Sequence, residues 1–239
     1  MATSPPYQPS LLRFTHILTA GLGILALITG WAVYNRYDGR VVRLPLPPID
    51  DLIDVHGTVG LGFLIVLPLL VGYSFHLGAH RLPPRRGARA SQGNRPAVWR
   101  LYHSFTNLGL LGAATLAVVS GRHMQENWLP AGQLNHGWYW VHLGAWALLL
   151  ALLVLHVCIG LMLGGRPLLA SMLAVRVRAE DTPRAWLGQV RAGFQQAKSL
   201  PPHLRRWEAL IGLGLVAAWL GPLVSVVFPA AGPGNAGRG

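Results

Sequence analysis

Charge is what this chain has least of. Asp, Glu, Lys and Arg make up 12% of its 239 residues, and acids number 8 against 20 Lys and Arg. Soluble domains of this size carry about 25% charged residues, so a water-facing fold of this length is excluded. Cysteine is nearly absent as well. The single Cys158 rules out a disulfide within the chain and any cysteine-clustered metal site, and its place inside an apolar run marks it as a small packing residue. The opening MATSPPYQPSLLRF lacks a basic segment leading into a short apolar core and cleavage site. The first apolar run is therefore expected to be a retained span rather than a signal peptide.

Apolar sequence fills the space that charge leaves. Hydrophobic residues are 52% of the chain, mean hydropathy is +0.40, and several runs reach membrane-spanning length with hardly a charge. That pattern predicts transmembrane helices rather than a buried core. The net charge of +12 invites a nucleic-acid reading, but the basic residues fall in loops between the apolar runs, where topology rules place them. No nucleic acid is expected as a partner; membrane lipid is.

Five spans are expected: about Leu12–Tyr34, Leu52–Leu77, Arg100–Gly121, Trp138–Leu163 and Trp207–Phe228. Pro45, Pro47 and Pro48 exclude a regular helix between the first two, and Pro68 predicts a kink inside the second. The fold class is an all-α membrane protein, a four-helix transmembrane bundle over 1–173 with a fifth C-terminal transmembrane helix over 207–228. A basic connector over 174–206 and a disordered tail over 229–239 complete the division. With alternating spans, one side receives 15 of the basic residues (Arg13, six arginines between 81 and 100, eight Arg and Lys between 166 and 206) and the other 5. The asymmetry predicts a cytoplasmic N-terminus and an outside C-terminus in a bacterial inner membrane.

The fourth span organises the rest. It carries His142 and His156 in an otherwise apolar run, 14 residues apart. At 100° and ~1.5 Å per residue, that interval returns within about 40° of the same face and separates the two by roughly 21 Å. Two imidazoles stacked on one face at different bilayer depths are what two haems would require. Depth sorts the partners. His56 enters the second span from the outer side and pairs with His142; His16 enters the first from the inner side and pairs with His156. Two haem b groups, one in each half of the bilayer, are the expected cofactors, with iron held by His16, His56, His142 and His156. Gly23, Gly57, Gly60 and Gly144 are candidates for the side-chain-free surfaces a flat porphyrin needs. His103, at the inner end of the third span, competes with His16 or His156 as a ligand. Single intramembrane histidines also serve as hydrogen-bonded packing residues. His76, His80, His123, His136 and His203 fall at span ends or in loops. Arg13 and Arg100 suit the propionates of the inner haem, Arg122 those of the outer.

The pieces RFTH (Arg13–His16), DVHG (Asp54–Gly57), VHLGAWALLLALLVLH (Val141–His156) and GGRPLLASML (Gly164–Leu173) carry a resemblance. Over about residues 10–190 the chain resembles the gamma subunits of membrane formate dehydrogenases. That group includes the cytochrome b subunits of nickel–iron hydrogenases and bacterial cytochrome b561 proteins. The resemblance implies the same histidine pairing and a quinone at the inner haem, held by polar residues at the start of the third span. In this sequence those are His103 and Asn107, with Thr106 a weaker candidate; His103 stands where the family carries an amide, and the fifth span is an addition to the four-helix pattern. Independently of kinship, a quinone carbonyl needs a donor able to exchange protons, which histidine supplies. The resemblance also implies a redox partner subunit on the outer face, iron–sulfur or similar, feeding electrons inward. The alternatives are a stand-alone cytochrome b561-type quinone oxidoreductase with a small soluble donor, and an assembly protein whose histidines only pack.

Overall fold

The computed structural model describes residues 7–47, 49–84, 95–174, 176–196 and 200–227. The tail 229–239 and most of the basic loop after the second span lie outside them. Six α-helices follow one another: α1 Ser10–Tyr37, α2 Leu52–His76, α3 Arg95–Arg122, α4 Gly137–Leu173, α5 Pro183–Gln196 and α6 Pro202–Val227. No strand occurs among the described residues.

Four helices, α1 to α4, are long and apolar enough to cross a membrane, so the chain is an integral membrane protein of helical-bundle type. Three of them run past the hydropathic stretch that marks them, while α2 keeps to its expected bounds. α3 begins at Arg95 rather than near Arg100, and α1 ends at Tyr37 rather than Tyr34. The reason is physical: hydropathy marks the part inside hydrocarbon, while the hydrogen-bond ladder continues through polar turns outside it.

The largest correction concerns α4, expected to stop near Leu163. It continues to Leu173 across a break at Gly165, whose backbone sits at φ 61° and ψ −159°. Gly165 follows Gly137 by a length of roughly 42 Å of helix, more than the ~30 Å of hydrocarbon needs. Glycine is required on both sides of the fold-back. A Cβ on Gly164 would lie 2.6 Å from Cβ of Leu168, and one on Gly165 would be strained at its positive φ. Beyond the break, Met172 packs with Leu11, Leu12 and Tyr73 at the ends of α1 and α2, joined there by Trp186 and Val190 of α5.

Packing is uneven. α1 pairs closely with α2 and α3 with α4, while contacts between these two hairpins are sparse. The main apolar core is completed by α6: Phe63, Leu64, Leu67 and Phe75 of α2 and Leu108, Leu111 and Val118 of α3 join Ile211, Leu215 and Ala218 of α6. α6 begins at Pro202 rather than Trp207 and runs alongside α3. Its Glu208 carboxylate is 2.9 Å from Nε2 of His76, Gly214 packs on Thr115, and Gly221 packs on His123 at the far end of α3.

Polar ties hold the hairpins to each other at their ends. At the Ser10 end, the Asp181 carboxylate accepts bonds from the Tyr7 hydroxyl and the Ser10 N–H, both at 2.6 Å, and from Gln189 at 3.2 Å. It thereby caps α1, whose own cap position is Pro9 with no side-chain bond. Burial alone would raise the Asp181 pKa, but these donors outweigh it and leave the carboxyl below its ordinary range. Arg13 is buried and donates to the carbonyls of Ala174 and, at 2.8 Å, Arg176. At the Tyr37 end, Asp38 accepts from Tyr139 of α4 and from Arg40 at 2.5 Å, and the Arg40 guanidinium lies 4.7 Å over the Trp140 ring. The adjacent Arg40 guanidinium is the main reason the Asp38 carboxyl titrates below the usual carboxylate range.

The Asp181 tie makes a measurable claim. Because its folded pKa is depressed, its stabilisation is complete above the ordinary carboxylate pKa and is lost as pH falls through the lowered folded value. Asp181→Ala is expected to speed hydrogen exchange across residues 176–196 roughly tenfold or more at pH 7, the loss of buried charge-assisted bonds. In the unsubstituted protein, the same segment should lose protection only in acid. Unchanged exchange in the variant would show that the tie holds nothing.

Candidate functional site

Four histidines face one another across the gap between the hairpins, in two pairs. His56 of α2 and His142 of α4 have ring centroids 6.0 Å apart, with planes at 66°. His16 of α1 and His156 of α4 are 6.1 Å apart, with planes at 31°. The pairs sit at the two depths that the 14-residue interval on α4 sets. Between them, the Trp146 indole N–H donates to the Leu27 carbonyl at 2.9 Å, tying α4 to α1.

Second bonds back Nδ1 in three of the four, and in two of these they fix the proton there. His142 Nδ1 lies 3.1 Å from the Ala117 carbonyl, an acceptor, and 3.0 Å from the Ser120 hydroxyl, whose proton is directed to the Leu116 carbonyl at 2.7 Å. His56 Nδ1 lies 2.9 Å from the Thr29 hydroxyl, which donates to the Leu25 carbonyl at 2.9 Å. His156 Nδ1 lies 3.0 Å from Oδ1 of Asn107, whose amide nitrogen donates to the Arg81 carbonyl at 3.1 Å and so fixes which way the amide faces. The Ala117 carbonyl and Asn107 Oδ1 can only accept, so Nδ1 of His142 and of His156 carries the proton, and the Thr29 hydroxyl, free to rotate, accepts from His56 when Nε2 of that ring is the nitrogen given to a metal. Nε2 is left with its lone pair, the tautomer a metal requires.

The pairs fit one kind of group. Among the described residues no three or more His, Cys, Asp and Glu side chains converge to hold an ion, so a protein-only metal cage of the zinc type has no donors here. A metal bound at about 2 Å by one nitrogen of each ring would set the centroids about 6 Å apart. Two histidines on opposite sides of one metal therefore suit an ion whose remaining ligands come from a planar macrocycle. The surroundings leave room for one. A Cβ added at Gly57, Gly60 or Gly144 would meet no atom within 4 Å, and α4 contributes only Tyr139 to the buried core clusters.

The family model for prokaryotic cytochrome b561 matches residues 7–174. The chain belongs to the prokaryotic cytochrome b561 family. It is a membrane cytochrome b with an electron-transfer role, and membership implies b-type haem. No curated protein and no solved structure matches it significantly. The matched segment of this cytochrome ends at Ala174, so it takes in all four histidines and leaves out α5 and α6.

Other sequence candidates are placed differently. The His103 ring stacks on His156 with centroids 4.8 Å apart and planes at 22°. That spacing is too short for a metal between the two rings. Asn107 has both ends of its amide committed to His156 and the Arg81 carbonyl, as described above. Arg13 spends its terminal nitrogens on the chain after α4, and Arg100 is exposed one turn before His103. Gly23 makes room for Phe63, whose ring would be 3.1 Å from its Cβ, so it serves helix packing.

Sequence reasoning missed Thr29, Ser120, Gly30 and Gly121. A Cβ on Gly30 would be 3.0 Å from Cε1 of His56, and one on Gly121 3.1 Å from Cε1 of His142. A signal was present: Gly30 follows His16, and Gly121 follows Asn107, by the same 14 residues that separate the α4 histidines. Gly30→Val and Gly121→Val should therefore displace one ring each and lower bound haem, with the secondary structure of the bundle kept. Haem content per protein by pyridine haemochrome, alongside circular dichroism, checks this; full haem content in both variants would show the glycines are not needed.

Proposed function

We propose that this cytochrome carries electrons across the bilayer between a partner redox protein on the outer face and the quinone pool on the inner face. His56 and His142 ligate the haem nearer the outer surface, His16 and His156 the haem nearer the inner one. The observation that carries this reading is the pair of facing histidine couples at 6.0 and 6.1 Å, each on a different level of the gap. Haem iron supplies the one-electron chemistry; the chain supplies ligands, spacing and exclusion of water. The expected fifth span, α6, on this reading also crosses the membrane, since its contacts run from His76, where α2 ends, to His123, just past the end of α3.

Quinone binding at the inner level is supported by a groove of about 460 Å³ between α3 and α4. It is lined by Trp99, Tyr102, Phe105 and Thr106 on one side and Leu152 and Leu155 on the other. Aromatic and aliphatic walls suit a ring with an isoprenoid tail. His103 belongs to the same stretch of α3 and stacks on His156, which makes it the group for a quinone carbonyl and its proton. With the Asn107 amide occupied, His103 and Thr106 remain as the polar contacts.

Two substitutions test the reading. His142→Ala should lose about half of the bound haem, because one of two bis-histidine sites loses a ligand. Retention of the full amount would overturn the ligand assignment. His103→Leu should keep both haems and slow quinol-driven haem reduction about 100-fold, the scale of a lost proton-transfer group. An unchanged rate would place the quinone elsewhere. Gentle solubilisation then asks what travels with the chain: a stably bound iron–sulfur protein supports the partner reading, and isolation of the cytochrome alone supports a stand-alone oxidoreductase.

A further inference from the structure

The hydrogen bonds behind the histidines do more than orient them. A ring that gives its Nδ1 proton toward an acceptor gains electron density at Nε2 and becomes a stronger donor to a metal. A stronger donor favours the more highly charged ferric iron over the ferrous, so the acceptor behind the ring is one of the protein's levers on potential.

We infer that Thr29, Ser120 and Asn107 are positioning residues that set the electron affinity of the two haem sites, Thr29 and Ser120 at the His56–His142 level and Asn107 at the His16–His156 level. The inference rests on the histidine pairs being iron ligands. Three features of the structure carry it. Each residue sits within 3.0 Å of an Nδ1. Each has its own hydrogen turned to a backbone carbonyl: Thr29 to Leu25, Ser120 to Leu116, Asn107 to Arg81. Asn107 Oδ1 can only accept from the ring, and the two hydroxyls accept from theirs once Nε2 of that ring is the nitrogen bound to iron. The acceptors also differ in kind. The Tyr37-end pair is backed by hydroxyls on both rings, with the Ala117 carbonyl added for His142. His156 is backed by an amide whose far end rests on the 3-10 turn Ala79–Arg81 that follows α2. Asn107 thus links the level of His156 to the segment joining α2 and α3, and acts on haem potential through His156.

Redox titration of the purified full-length protein, with low-spin ferric signals followed by electron paramagnetic resonance, tests this. Thr29→Val keeps the shape and removes the acceptor. It should raise one of two midpoint potentials by about tenfold in the ferric-to-ferrous ratio at fixed poise, about 59 mV for one electron, and leave the other in place. Thr29→Ser should restore the original value. Asn107→Leu should raise the other midpoint and move the other ferric signal. Haem retained with both midpoints unmoved in Thr29→Val overturns the inference while leaving the ligand assignment standing. A shift in Thr29→Ser equal to that in Thr29→Val overturns it too, since packing rather than the hydroxyl would then be responsible. A protein with no b-type haem sinks the ligand reading itself.

Discussion

The structure depends on keeping two helical hairpins apart while holding them in register. Apolar contact between the hairpins is sparse and sets no fixed width for the gap. What fixes it is a set of directional ties of fixed length at three levels: Asp181 and Arg13 at one end, Trp146 to the Leu27 carbonyl in the middle, and Asp38 with Tyr139 and Arg40 at the other. The histidine pairs occupy the two intervals between them. A hydrogen bond has an optimal length, whereas hydrophobic contact has none, so polar groups are the means of fixing a separation. The charged ties sit at the helix ends, where each carboxylate is met by several donors, and the neutral indole takes the middle position.

α6 answers a problem created by the gap. A four-helix bundle with an open interior has less apolar packing than a solid one. α6 adds Ile211, Leu215 and Ala218 to a core shared with α2 and α3. His76 joins three helices there, facing Glu208 of α6 at 2.9 Å and stacking on Phe194 of α5 at 4.0 Å. α2 and α3 thereby serve twice, sharing this core with α6 and bringing His56 and Ser120 to the histidine pairs.

Residues with polar side chains inside the spans are few, and nearly all are assigned by their bonds. Thr29, Ser120 and Asn107 stand behind histidines, while Thr15, Thr19 and Thr115 return their hydroxyls to carbonyls of the same helix. In lipid a polar group without a partner is costly, so the placement of each is informative. His103 stacks on His156, and the quinone reading gives it a polar partner.

The four spans and the two histidine levels were legible in the sequence, because both follow from periodic geometry within a single helix: a hydrophobic length for the bilayer and a 14-residue interval on α4. Depth alone then paired His56 with His142 and His16 with His156, the couples that face each other in the folded chain. The role of Asn107 was not legible, nor were Thr29, Ser120, Gly30 and Gly121, because each acts on a side chain from another helix whose rotation about its axis no local pattern encodes. The continuation of α4 past Gly165 and the place of α6 beside α3 were likewise decided only by packing. Sequence therefore determined what lies at which depth; the tertiary structure decided which side chains turn toward the gap, since depth is set along one helix and orientation only between helices.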